Sequence, residues 1–238
     1  MTFTFDSYKR LINAIRENGY QFADYHDFRA IPNPCILRHD IDYSLERVLH
    51  FAKLEKDLSV KSTYFVLVTS DFYNPFSSNS KDIIKSIKRC GHEIGLHFDE
   101  VAYKELNKDS IVTAIQKECS ILEDIIEDRV TTVSMHRPSK WVLEADLQIP
   151  EIVNSYGKCF FHDFKFVSDS RMRWREDVMK YVTEKSYQKL HILTHAFWYG
   201  ETELSIQDVL DNYLNSSRTD RYKILNENFT DLSSVIKD

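Results

Sequence analysis

The chain has 238 residues, 42% hydrophobic and 29% charged, which is the composition of an ordinary globular protein. It is long enough for one large α/β unit of roughly 200–250 residues and needs no disulfide staples to bury a core. The net charge of −6 lacks the basic excess of a nucleic-acid binder, and no stretch approaches the roughly 20 apolar residues of a membrane span.

Four cysteines (Cys35, Cys90, Cys119, Cys159) form no CxxC pair, and Met1–Asp6 carries neither a basic nor a long apolar run. The expectation is reduced thiols, no signal peptide, a cytoplasmic protein and a single domain over 1–238.

In chain order, Tyr8, Leu11, Ile12 and Ile15 form a helical stripe that Asn18-Gly19 stops. Residues Gln21 to Phe28 fit neither period. Ile31-Pro32-Asn33-Pro34 is a rigid turn feeding a strand, Cys35 to Asp40. Ser44 to Leu58 reads as a helix, and Ser62 to Thr69 as a strand by its β-branched and aromatic content. Phe72 to Ser80 is a loop, with Ser80 able to cap a helix that runs to Cys90. A short strand is expected over Glu93 to His97, a long amphipathic helix over Ile111 to Ile126 and a strand over Val130 to Met135. Glu151 to Tyr156 reads as a short helix, Lys158 to Val167 as extended and Asp169 to Arg175 as a polar loop. A last strand covers His191 to Thr194, with two helices over Ile206 to Leu214 and Tyr222 to Ile236. Strands alternating with helices imply βαβ units and a largely parallel sheet, open or closed as a barrel.

Four strands end in reactive groups. Cys35–Leu37 leads to Arg38-His39-Asp40-Ile41-Asp42, where strand alternation lets Asp40 and Asp42 point one way and His39 the other. The others end at His97 and Asp99, at His136-Arg137-Pro138 and at His195. A lone histidine after an apolar run is more often a core residue than a ligand. The ordered recurrence is what points to a site, because active groups of α/β folds gather at the carboxyl ends of parallel strands.

These residues resemble the motifs of the polysaccharide deacetylases of carbohydrate esterase family 4. Arg38-His39-Asp40-Ile41-Asp42 looks like the family's first motif, and Gly91-His92-Glu93-Ile94-Gly95-Leu96-His97 is similar to its second. Arg137-Pro138-Ser139 is similar to the third, Asp169-Ser170 with Trp174 to the fourth and Leu193-Thr194-His195 to the fifth. The resemblance spans roughly Ile36 to Trp198. The form Arg-His-Asp-Ile-Asp looks like a divergent branch linked to bacterial surface-polysaccharide synthesis.

The resemblance implies a distorted (β/α) barrel and metal-assisted removal of an N-acetyl group from a sugar or glycan, either free or nucleotide- or lipid-linked. The cofactor would be a divalent ion, zinc before cobalt or manganese. By position Asp40 looks like the general base and Asp42 a metal ligand, although Ile41 between them leaves the two roles exchangeable. His97 would be a second ligand and His195 the general acid. Arg137 would orient the base, with Asp169 as its partner. His92 lies outside the metal shell. A backbone amide near Tyr43, with Trp174 and Trp198, would meet the substrate.

The family's second metal-binding histidine falls at Val101, which cannot bind a metal. Asp99 or His136 could supply the third ligand that catalytic zinc requires. The substitution leaves open a catalytically inactive sugar-binding homologue, and the scaffold also admits a hydrolase of a non-sugar amide. The run Arg171, Arg173, Arg175 is either a phosphate contact or a solvated loop.

Overall fold

The computed structural model describes residues 1–237. Its organising element is β2, Pro34–Ile41, buried along its whole length on both faces. A strand covered on both sides needs partners on both edges, and β2 has three. β3 (Thr63–Val66) pairs with its C-terminal half and β8 (Leu190–Thr194) lies along the opposite edge. β1 (Gln21–Ala23) fills the N-terminal stretch that β3 does not reach. β4 (Glu93–Phe98), β5 (Thr132–Met135) and β6 (Val153–Asn154) continue beyond β3, and β7 (Lys165–Ser168) lies outside β8. Every ladder in this sheet is parallel.

The order β6-β5-β4-β3-β2-β8-β7 is a ring opened between β6 and β7. The sheet is curled, and a hydrogen bond shows it. Arg38 on β2 donates to Ser134 Oγ on β5 at 2.5 Å. Three strand spacings separate those strands, about 14 Å in a flat sheet, which is more than an arginine side chain spans. The chain therefore forms the distorted (β/α) barrel that the resemblance implies, one of the two forms the strand–helix alternation leaves open.

Two apolar layers result. Cys35, Leu37 and Ile41 point outward, as do Tyr64, Val66, Ile94, Leu96, Val133 and Ile192. They pack under α1 (Phe5–Glu17), α2 (Leu45–Asp57), α3 (Ser78–Arg89) and α4 (Lys108–Ile126). Inside the curl Ile36 meets Tyr25, Phe28, Phe65, Phe160 and Phe164. The alternate residues of each strand thus climb the interior from this aromatic floor, through Arg38, to Asp40 at the C-terminal end. Gly95 on β4 has to be glycine: a Cβ there would lie 2.6 Å from the Phe65 ring and 2.9 Å from Thr132 O.

The cysteines are unpaired, with Cys35 and Cys119 buried and Cys90 and Cys159 half-buried. Among the described residues no helix is long and apolar enough to cross a membrane.

Several local expectations are corrected. Residues 151–156 are not helical: Val153–Asn154 is strand β6, entered through a bridge between Ile149 and Ile152. Lys158–Val167 is not continuously extended, since after α5 (Lys140–Ala145) the residues Lys158–His162 form the short helix α6 ahead of β7. Ser77, not Ser80, caps α3 and accepts from the Ser80 N–H. Among the described residues the C-terminal region holds one helix, α8 (Ile206–Asn226), opened by a capping box between Ser205 and Asp208, and then a single 3-10 turn at Leu232–Ser234.

Candidate active site and metal centre

Because β2, β4, β5 and β8 run parallel and in register, their C-terminal ends meet at one mouth. Asp42 follows β2, His97 lies on β4, His136 follows β5 and His195 follows β8. Asp42 Oδ1 lies 3.3 Å from His97 Nε2 and 3.3 Å from His136 Nδ1, and the two nitrogens are 3.1 Å apart. These three form a cluster able to hold a metal ion.

The donor set fits a metal on two counts. Asp42 Oδ1 is buried and has no hydrogen-bond partner, despite its two close nitrogens. That leaves a buried carboxylate oxygen free to coordinate, beside a His136 Nδ1–His97 Nε2 contact that a shared ion would replace. Moreover, ligands about 2.0–2.1 Å from a tetrahedral zinc stand about 3.3–3.4 Å from one another, close to the separations in this trio.

The remaining groups hold these donors in place. His97 Nδ1 contacts Ser134 Oγ at 3.1 Å. Ser134 Oγ accepts from Arg38 as well, which fixes the hydroxyl against the ring and leaves Nε2 turned to the trio. Burial pushes the Asp42 carboxyl up, but His136, His97 and His195 outweigh it and hold the pKa well below the carboxylate range. The His136 imidazole is pushed down by burial and further up by Asp42, for a net rise.

Asp40 lies beside the trio, its Oδ2 3.6 Å from His97 Nε2. Arg38 grips it bidentately, Nε to Oδ1 at 3.2 Å and Nη2 to Oδ2 at 2.7 Å. Arg38 is fully buried, bonded also to Ser155 Oγ and sandwiched between the rings of Phe65 and Tyr156. Burial would raise the Asp40 pKa, but Arg38 first, then His97 and His195, pull it below the usual range. Asp40 is thus a fixed carboxylate.

On the other side, Asp169 accepts from the His195 backbone N–H at 3.0 Å and lies 2.6 Å from Nδ1. Nδ1 therefore carries the proton toward Asp169, and Nε2 faces the mouth, 3.6 Å from Asp42 Oδ2. Burial disfavours the imidazolium, but Asp169, Asp42 and Asp40 overcome that and raise its pKa to about 9. His195 is a protonated group at neutral pH.

Two expected partnerships are not found. Arg137 does not meet Asp169 or the base. It is half-exposed and pairs with Asp99, and Arg38 takes the place beside Asp40. Asp99 does not join the trio either, because its carboxylate is held by Arg137 and by the Val101 N–H. His92, set aside as a ligand, is buried away from the site and bonds Ala52 O and Ser62.

Arg38, Ser134 and Ser155 were not singled out by sequence reasoning. Arg38 had a visible signal, since it lies two residues before Asp40 on the same strand face. Among the aromatics, Trp198 is 5% exposed and packs on Tyr43, Phe197 and His195. Its indole N–H is buried and has no partner. Tyr43 is half-buried at the same wall, and Trp174 packs into the main core.

This chain is similar to solved polysaccharide deacetylases. No protein-family model matches the sequence, and no curated protein sequence matches it. The chitin deacetylase of the fungal pathogen Colletotrichum lindemuthianum is 15% identical over 84% of this chain and 87% of its own, with a TM-score of 0.45. The Streptococcus pyogenes deacetylase PplD, in complex with acetate, is 14% identical over 59% of this chain and 66% of its own, with a TM-score of 0.44. A CE4 family pseudoenzyme from Bacillus anthracis is 16% identical over 78% of this chain and 60% of its own, with a TM-score of 0.45. The chain thus spans less than two thirds of the length of the last two.

Proposed function

We propose that the protein is a metal-dependent hydrolase that removes an N-acetyl group from a sugar or glycan precursor in the cytoplasm, for surface-polysaccharide synthesis. One observation carries this reading: a three-donor cluster with an unpartnered buried carboxylate oxygen is flanked by a fixed carboxylate and a protonated histidine. That is the equipment of metal-assisted amide hydrolysis. The four unpaired cysteines suit a reducing compartment.

Asp42, His97 and His136 would hold a divalent ion, zinc before cobalt or manganese, leaving a fourth position for substrate. A bound ion would supply Lewis acidity toward the acetyl carbonyl and a water. Asp40, held ionised by Arg38, is placed to take the proton of the attacking water. His195 donates the Nε2 proton to the departing amine, and Asp169 stabilises the imidazolium that carries it. Trp198 and Tyr43 close one wall.

The test is acetate release from N-acetylated mono- and oligosaccharides with zinc present. Asp40→Asn and His195→Ala should each lower turnover by about a hundredfold or more with unchanged circular dichroism. Wild-type turnover in both variants would sink the proposal.

A further inference from the structure

The loop after β7 carries three guanidinium groups that the hydrolytic chemistry does not use. Arg171, Arg173 and Arg175 are exposed, while Met172 and Trp174 between them pack into the core. Among the described residues none of the three makes a side-chain hydrogen bond or an ion pair, although the chain has an excess of carboxylates. The loop's own carboxylates are committed elsewhere. Asp169 is bonded to His195, Glu176 is paired with Lys165 and bonded by the Tyr181 hydroxyl, and Asp177 caps α7 (Val178–Thr183).

The loop is also built and placed. Its first turn is closed by the Arg173 N–H on Asp169 O at 3.1 Å. Arg171 and Met172 both take left-handed backbone, with φ of 60° and 55°, which non-glycine residues adopt only where the surroundings enforce it. Arg171 lies two residues from Asp169, and its charge partly offsets the rise that burial and Asp42 impose on the Tyr43 phenol at the wall of the site. Glu46 also lies near that wall, but its carboxylate accepts from Ser44 and Asn79.

Exposed, unpaired guanidinium groups on a loop that leaves the site at Asp169 suit phosphate oxygens, which guanidinium binds through paired N–H donors. We propose that the 171–175 loop binds a phosphate carried by the substrate, so that the preferred substrate is an N-acetylated sugar phosphate ester. The sugar part of this inference rests on the function proposed above; the phosphate part does not.

The experiment is equilibrium binding by calorimetry, which needs no turnover. N-acetylglucosamine 1-phosphate is compared with N-acetylglucosamine in the wild type and in the variant Arg171→Ala, Arg173→Ala, Arg175→Ala. A second variant, Arg10→Ala, Arg89→Ala, Arg129→Ala, removes equal charge elsewhere. The wild type should favour the phosphate by about tenfold or more, the scale of one well-formed charge-assisted contact. That ratio should fall to about one in the loop variant only. Equal affinities in the wild type, or an equal fall in both variants, would overturn the inference.

Uridine diphosphate N-acetylglucosamine and a short-chain prenyl diphosphate-linked N-acetylglucosamine extend the test. Tighter binding of one than of the monophosphate assigns the phosphate to a nucleotide or to a lipid carrier. A phosphate preference without acetate release from any sugar would count against the hydrolase and leave the anion site standing.

Discussion

Glu55 on α2 lies directly behind the site and is fully buried. Its Oε1 accepts from the Tyr8 hydroxyl at 2.5 Å and lies 3.0 Å from His39 Nε2; its Oε2 accepts from Ser62 and Tyr64 at 2.6 Å each. His39 Nδ1 reaches Thr194 Oγ1 at 2.6 Å, so one carboxylate fastens β2 and β8 a single residue below Asp40 and His195. Burial alone would raise its pKa. His39 and His92 beside it, with the Ser62 hydroxyl, lower it from 4.5 to about 2. A carboxyl whose folded pKa is depressed stabilises the fold above its unfolded pKa and loses that contribution as pH falls toward the folded one. The shift amounts to about 3 kcal/mol at neutral pH, about half of it gone by pH 3. Glu55→Gln should remove this contribution. It should add a pH-independent cost of about 1–3 kcal/mol, because amide N–H groups then face hydroxyl donors. Urea unfolding of both proteins at pH 7, 5, 4 and 3 reads the effect: the gap in stability should narrow steadily on acidification. A gap that stays constant from pH 7 to pH 3 would refute the reasoning.

Three further outcomes are expected. Glu118 on α4 is buried, with Oε2 lacking any partner, and burial raises its pKa from 4.5 to about 7. The carboxyl therefore destabilises the fold as pH rises from 4.5 through 7, and Glu118→Gln should gain up to about 3 kcal/mol at pH 8 and little at pH 4; a variant less stable at pH 8 in urea unfolding would contradict this. Gly95→Ala should cost about 1–3 kcal/mol by driving a methyl into the Phe65 ring, read as a lower melting temperature that Phe65→Leu partly restores. Arg38→Met should cost about 3–5 kcal/mol by leaving Asp40 buried and unpaired, while Arg38→Lys should melt between it and the wild type; equal melting of all three would show that the pair contributes nothing.

The fold was legible where periodicity was long. The stripes of α1, α2 and α4 and the apolar runs of β2, β4 and β8 each specify their element without help. Short elements were not legible, because their state is set by partners distant in sequence. Val153–Asn154 is a strand only because β5 lies alongside, and the aromatic run Cys159-Phe160-Phe161 turns into a helix because Phe160 fills the barrel floor. The site shows the same division. Asp40, Asp42, His97, His136 and His195 were visible as strand-end residues. Asp99 looked equivalent to His97 by alternation, but β4 stops at Phe98 and Asp99 caps the following 3-10 turn instead. Arg137 drew attention as part of a motif, whereas the arginine that grips Asp40 was two residues away on the same strand.

The most direct test of the account is metal content of the purified protein after incubation with zinc, by elemental analysis, in the wild type, His136→Ala and Asp99→Ala. The geometry predicts about one equivalent in the wild type, loss in His136→Ala and retention in Asp99→Ala. No metal in the wild type, or loss in Asp99→Ala with retention in His136→Ala, would contradict the proposed centre of Asp42, His97 and His136.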